Sequence, residues 1–245
     1  TLNFPSVGAT ENIVLASVLA DGVTIIENAA KEPEIYDLCD FLIKCGAKIQ
    51  FFNSGTIKIV AVKRLIGCEH NIIPDRIAAT TFMAAAAVTH GDLLLENINL
   101  NHLSPVIPFF EESGCVVITD NDNLRIMNEN RLLPMKKIKT MPHPGFPTDA
   151  QAIVMVMCAL ADGRSIFEEN IFTDRYKHVS ELLKFGAKID IDGKIAVVNG
   201  VDRFFGNKVV ASDLRGGAAL VIAGIAAYGE TQVFNIYHID RGYEN

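Results

Sequence analysis

The sequence has no surplus of positive charge: 22 Lys and Arg stand against 29 Asp and Glu, a net charge of −7. General nucleic-acid binding needs basic residues in excess to meet phosphates, so that partner class is excluded. There is no CxxC pair among the five cysteines, Cys39, Cys45, Cys68, Cys115 and Cys158. An odd number without ligand spacing argues against a zinc ribbon or a disulfide framework and for free thiols in a reducing cytosol. The six histidines include no HExxH, and no metal site is expected. GxxxxGK[ST] and GxGxxG are also missing. The longest apolar runs, Ala152–Ala161 and Ala218–Ala227, have ten residues each, whereas a membrane-spanning helix takes about 20. The first apolar stretch has no basic lead-in and is broken by Glu11, so it does not read as a signal peptide. What remains is a chain of 245 residues, 49% hydrophobic and 21% charged. It is long enough for one large domain or two small ones with a sizeable core. Its expected place is the cytoplasm, away from membrane and nucleic acid.

Four segments resemble one another: residues 9–22, 78–91, 149–163 and 214–229. Each reads as a small-residue apolar helix ending in a glycine, and those glycines, Gly22, Gly91, Gly163 and Gly229, are spaced by 69, 72 and 66 residues. A second series, FLIKCGAKI, FFEESGCVV and ELLKFGAKI, places Gly46, Gly114 and Gly186 at spacings of 68 and 72. Two anchors sharing one period define an internal repeat, and the period is long enough for each unit to be a whole supersecondary module.

Within a unit the pattern predicts the order βαβαββ. A short strand and a polar loop precede the apolar helix, which is expected to stop at its C′ glycine. The strands VTIIENA, DLLLENI, SIFEEN and TQVFNI follow. A second, amphipathic helix is expected in PEIYDLCDFLIKCG, LSPVIPFFEESG and YKHVSELLKFG, then a hairpin, clearest at an Asp192-Gly193 turn. The first helices of the third and fourth units are apolar nearly all round, which predicts burial on every side. The strands alternate, which predicts one sheet face in water. The expected fold class is therefore α/β (α+β), an inside-out α/β barrel with helices inside and sheets outside. Thr1 is expected to lie in the strand opening a unit, and Asn245 where the fourth unit's second helix should begin, so the fourth unit is expected to be truncated.

The loops before the first helices occupy equivalent positions: FPSVGAT, IIPDRIA, HPGFPTDAQ and ASDLRGG. Helix N-termini attract anions, and Arg76 and Arg215 lie there. Arg175 and Arg241 hold matching places after the second strand. Four such arginines in an acidic chain point to an anionic ligand, since guanidinium makes paired contacts to phosphate or carboxylate; each also reads as a solvated surface residue. Asp149 follows Thr148, a capping-box N-cap with Gln151 at N3, and reads either as a helix-start carboxylate or as a general base. Asp75 and Asp213 read as residues orienting the neighbouring arginines. Gly216 and Gly217 read as places where a ligand approaches the backbone. His143, His178 and His238 lie near loops without ligand spacing. The cysteines read as buried structural thiols.

FPSVGATEN, NAAKEPEIYDL, IPDRIAATTF, PHPGFPTDAQA, DRYKHVSEL, ASDLRGGAALV and YHIDRGYEN resemble, in this order and from end to end, the UDP-N-acetylglucosamine enolpyruvyl transferases (1-carboxyvinyltransferases). The resemblance implies two domains of three βαβαββ units, with residues 1–73 as the last unit of the first domain and 74–245 as most of the second. It implies transfer of the enolpyruvyl group of phosphoenolpyruvate to the 3′-hydroxyl of UDP-N-acetylglucosamine, the first committed step of bacterial peptidoglycan synthesis, without a cofactor. Asp149 matches the aspartate that accepts the hydroxyl proton. Ser6, Val7 and Gly8 match the loop holding the uridine diphosphate, and Thr148 and Ile171 match sugar-nucleotide contacts. Arg241 matches an arginine near phosphoenolpyruvate, and Arg175 and Arg215 match cleft arginines with Asp213 beside them. The family's loop cysteine, Lys-Asn pair and loop arginine have no match here. These residues alone are therefore expected not to turn over, and a separate N-terminal part of the same enzyme is an expected partner. Three other readings are a non-catalytic repeat or binding module, another enolpyruvyl transferase, and an RNA-terminal phosphate cyclase built on a similar unit; the acidic charge argues against the cyclase.

Overall fold

A computed structural model describes residues 1–52 and 54–243. The fold is mixed α/β, and the chain divides into two compact units. One is Thr1–Ile73 with Pro142–Pro144; the other is Pro74–Met141 with the chain from Gly145 on.

The first unit runs α1 (Val7–Ser17), β1 (Val23–Ile26), α2 (Pro33–Lys44), β2 (Lys48–Phe52) and β3 (Thr56–Val60). Its three strands form an antiparallel sheet in the order β1-β3-β2. Val14, Ile35, Cys39 and Ile59 are fully enclosed between helices and sheet.

The second unit begins with α3 (Arg76–Val88), β4 (Asp92–Leu95), α4 (Leu100–Leu103), α5 (Ile107–Glu112), β5 (Val116–Asp120), β6 (Asn123–Met127) and β7 (Lys137–Lys139). It continues with α6 (Thr148–Ala159), β8 (Arg164–Glu168), α7 (Val179–Leu182), a 3₁₀ turn (Leu183–Phe185), β9 (Lys188–Asp192) and β10 (Ile195–Asn199). Then come β11 (Phe204–Phe205), β12 (Lys208–Val210), α8 (Leu214–Ala226), β13 (Ala227–Tyr228), β14 (Gln232–Phe234) and α9 (Tyr237–Asp240). The strand order β4-β6-β5 repeats that of the first unit, as does β8-β10-β9, to which β7 adds in parallel beside β8. The remaining strands pair in parallel, β11 with β13 and β12 with β14.

Helices α3, α6 and α8 pack on one another. In α6 every residue from Ala150 to Ala159 is buried. Enclosing side chains such as Ile153, Val154, Met155 and Val156 contributes about 1.5–3 kcal/mol each. In β10, by contrast, only Ala196 and Val198 are buried, and their neighbours turn outward with the strand's period of two.

Several local expectations are corrected. The glycines Gly22, Gly91, Gly163 and Gly229 are not the C′ residues of the helices before them. The first three lie directly ahead of the following strand and Gly229 follows β13, because each helix ends a few residues earlier. It is the second series that caps. Gly46, Gly114 and Gly186 have φ of +99°, +91° and +94°, and each ends its helix in a Schellman motif: Ala47 N–H donates to Leu42 O at 2.9 Å, Cys115 to Phe110 at 3.1 Å and Ala187 to Leu182 at 3.4 Å. The amphipathic second helix is continuous only in the first unit. Pro105 removes a backbone donor between α4 and α5 and Pro108 another in the first turn of α5, and the third copy is reduced to α7 and the 3₁₀ turn. In α8, Val221 and Ile225 face solvent at 39% and 52% exposure, so this helix is not enclosed on every side. Thr1 stands outside any strand, and the leading strand is missing before α1 and α3 among the described residues. The hairpin turn lies one residue later than expected: Asp192 pairs with Ile195, leaving Gly193 and Lys194 at the tip. Asn245 lies outside the described residues.

Candidate functional site

The first turn of α6 is the centre of the site. Pro147 is the N-cap and Thr148 is the first helical residue, so the expected capping box does not form. The Thr148 hydroxyl donates instead to Glu169 Oε2 at 3.0 Å. Gln151 is fully buried. Asp149, one residue after Thr148, keeps its carboxylate partly open to solvent at the positive end of the helix dipole.

Two guanidinium groups converge on it. Arg175 Nη2 donates to Asp149 Oδ1 at 2.6 Å, and Arg215 Nε lies 3.4 Å from the same oxygen. Arg175 comes from the loop between β8 and α7, and Arg215 from the first turn of α8. Arg175 also stands over the ring of Phe172, 5.1 Å from its centroid, in cation–π contact. Thr148, Asp149, Arg175 and Arg215 are thus brought together. Arg76 is instead buried at the start of α3, and Arg241 is exposed at the C-cap of α9.

Asp75 and Asp213 act as N-caps. Asp75 Oδ1 accepts from Ile77 and Ala78 N–H at 2.7 and 3.0 Å, and Asp213 Oδ1 accepts from Gly216 N–H at 2.8 Å. Their carboxylates are used on helix starts. Burial alone would raise the Asp213 carboxyl, but Gly216 N–H, the Ser212 hydroxyl, Arg175 and His178 together hold it below its ordinary value. His178, at 2% exposure, is pushed down to about 4 by burial, against the pull of Asp213. The glycines after Arg215 are occupied from within the protein. A Cβ on Gly216 would meet His178 Cβ at 3.0 Å, and one on Gly217 would meet Ile239 Cγ1 at 2.7 Å. The places where their side chains would stand are taken by His178 and Ile239.

Beside the ion-pair cluster is a cavity of about 680 Å³, lined by residues 169–177 with Ile191, Gly193 and Lys194. Arg175 belongs to both cavity and cluster; Asp149 and Arg215 belong to the cluster alone. Ile171 lines the cavity, and its N–H donates to Glu169 Oε1 at 2.9 Å. Tyr176, at the same wall, is pushed up to about 12 by burial and donates to Lys194 O at 3.0 Å. Glu169 was missed by sequence reasoning. The one sign of it is the doubled glutamate ending SIFEEN, where strand alternation sends the two carboxylates to opposite faces. Glu168, itself only 8% exposed, meets Lys137 and Lys194 at 3.0 and 3.1 Å, which, with Lys139, hold it down to about 2.

Ser6, Val7 and Gly8 belong to the other unit. Ser6 caps α1, its Oγ accepting from Ala9 N–H at 3.3 Å, and Gly8 is exposed on the first turn, with no atom within 4 Å of a Cβ placed there.

The fold is shared with enolpyruvyl transferases. A solved structure titled as the enolpyruvyl transferase NikO from Streptomyces tendae superposes with a TM-score of 0.88 at 24% identity, covering 97% of this chain and 57% of that one. EPSP synthase from Acinetobacter baumannii does so with a TM-score of 0.75 at 18% identity, over 99% and 59% of the two chains. The family model described as EPSP synthase (3-phosphoshikimate 1-carboxyvinyltransferase) matches residues 1–245, and the chain belongs to this family. Among curated relatives, UDP-N-acetylglucosamine 1-carboxyvinyltransferase 1 of Caldanaerobacter subterraneus subsp. tengcongensis is 52% identical over 99% of this chain. The Finegoldia magna protein named UDP-N-acetylglucosamine 1-carboxyvinyltransferase is 50% identical over 100% of it. This chain spans 58% of the length of each.

Proposed function

We propose that the chain carries part of the active site of a cytoplasmic enzyme that transfers the enolpyruvyl group of phosphoenolpyruvate to the 3′-hydroxyl of UDP-N-acetylglucosamine, opening peptidoglycan synthesis. The carrying observation is Asp149: a partly exposed carboxylate on the first turn of a buried helix, with Arg175 and Arg215 both at Oδ1. The names of the relatives at 50–52% identity support this acceptor. In this reading Asp149 takes the hydroxyl proton as that oxygen bonds to C2 of phosphoenolpyruvate and the C2=C3 electron pair takes up a proton at C3 from an acid outside this chain; loss of a C3 proton then restores the double bond as the C2–O bond to phosphate breaks. Arg175, Arg215 and Arg241 meet anionic substrate groups, where charge develops on the departing phosphate. Asp213 holds Arg215's helix by its cap. Thr148 and Ile171 contact the sugar nucleotide. No cofactor enters. The packing of α3, α6 and α8 on one another supports an inside-out arrangement, helices within and sheets without.

The test is phosphate release by the complete protein from phosphoenolpyruvate, with UDP-N-acetylglucosamine or 3-phosphoshikimate as acceptor. Release only with the sugar nucleotide is expected. Release only with 3-phosphoshikimate, or with neither, rejects the reading.

A further inference from the structure

We infer that Glu169 is a positioning residue of this site, fixing the loop that sets Arg175 against Asp149; the inference rests on the reading just proposed. Glu169 follows the last residue of β8 and is 3% exposed. A carboxylate that deep is costly unless its oxygens are hydrogen-bonded, and they are. Oε1 accepts from Ile171 N–H at 2.9 Å and from Phe172 N–H at 3.1 Å, and Oε2 accepts from the Thr148 hydroxyl at 3.0 Å. Its own N–H donates to Lys194 O at 2.9 Å, anchoring it to the β9–β10 hairpin.

These bonds close a ring. Glu169 holds the backbone of Phe172, and the Phe172 ring lies under the Arg175 guanidinium. Arg175 donates to Asp149, whose neighbour Thr148 returns to Glu169. One carboxylate thus ties the cavity loop to the α6 turn bearing the proposed base. Glu168, beside it, makes ion pairs with surface lysines instead and offers an internal comparison. Placement errors of about 1 Å at a reacting centre cost roughly 100-fold in rate, so a residue that touches no substrate still acts on turnover through this ring.

The test uses the complete protein with Glu169→Ala, Glu169→Gln, Thr148→Val and the Thr148→Val/Glu169→Ala pair. In Glu169→Ala the amides of Ile171 and Phe172 are expected to exchange hydrogen at least about tenfold faster while α6 stays protected. With the enzyme still folded, kcat/KM is expected to fall roughly 10- to 100-fold. Gln keeps an oxygen for both N–H groups and is expected to restore most of that loss. In the absence of substrate the double variant should open the amides of Ile171 and Phe172 no further than Glu169→Ala alone, because the two residues hold the loop as one. Unchanged exchange at 171 and 172, or a lowered melting temperature with kcat and KM intact, overturns the inference. If the wild-type protein transfers no enolpyruvyl group, the functional reading fails, and the exchange measurement decides by itself whether Glu169 fixes the loop.

Discussion

Arg175 donates to Asp149 across 26 residues of sequence, Nη2 to Oδ1 at 2.6 Å. The contact joins the loop beyond β8 to the first turn of α6, and Arg215 reaches the same oxygen from a third element at 3.4 Å. The carboxylate therefore stands in a positive frame that leaves it partly open to solvent. A helix-start residue with only a capping role would not require two guanidinium partners from separate elements.

Asp149→Asn keeps the shape and most hydrogen bonds of the first turn and removes the basicity. In the complete protein, turnover is expected to fall roughly 10²- to 10⁴-fold, the usual share of a positioned general base, with sugar-nucleotide affinity retained. Steady-state kinetics beside calorimetric titration would show it. Near-normal turnover would leave Asp149 as a helix-start carboxylate.

Arg215→Lys and Arg241→Lys keep the charge and lose the planar fork. A charge-assisted hydrogen bond contributes about 1.5–3 kcal/mol, so each variant is expected to lose roughly ten- to a hundredfold in kcat/KM. The two proposed roles separate by substrate, with the Arg241 change weighing on phosphoenolpyruvate. If both variants keep wild-type affinity for both substrates, these arginines lie outside the site.

The repeat was legible because its second glycine series is forced by backbone geometry: φ near +95° at Gly46, Gly114 and Gly186 suits glycine and little else. The burial of α6 was legible from its unbroken apolar run. What escaped was set by neighbours distant in sequence. Nothing local tells that Thr148 turns its hydroxyl to Glu169 rather than to its own helix, or that Gly216 and Gly217 are filled by His178 and Ile239. Asp213 beside an arginine reads the same whether it caps a helix or orients a guanidinium. Pro105 and Pro108 stand within an amphipathic pattern that reads as one helix, and only the missing backbone donors break it in two.

Two glycine substitutions separate steric from conformational cost. A Cβ on Gly200 would overlap the carbonyl of Ala161. That backbone has no freedom to withdraw, because Gly200 N–H donates to Gly163 O at 2.8 Å and Val201 N–H to Ala159 O at 2.9 Å. A Cβ on Gly186 meets open space, but φ is +94°. Gly186→Ala is expected to cost about 1–2 kcal/mol, and Gly200→Ala more than about 3 kcal/mol. Denaturant unfolding of both variants checks the order; equal losses would contradict the steric account.

His178 makes stability depend on pH in a window of its own. Enclosed at the N-cap of α7, it is driven by burial from an ordinary 6.5 to about 4 in the folded protein. Between those values the unfolded chain binds a proton there that the folded chain does not, so folding stability rises with pH through the window. The contribution is fully present above about pH 6.5 and is lost on acidification towards about pH 4. Asp213, also depressed, loses its contribution only below its ordinary 3.8, so the two effects do not overlap. At about pH 4.5 the His178 loss should be on the order of 2–3 kcal/mol. His178→Gln fills a similar volume and carries no charge at either pH. Urea unfolding at about pH 7 and pH 4.5 should therefore show the wild type losing roughly 2–3 kcal/mol more than the variant. Equal losses in the two proteins would mean that His178 takes up its proton in the folded state as readily as in water, and the buried neutral imidazole between α7 and Gly216 would be wrong.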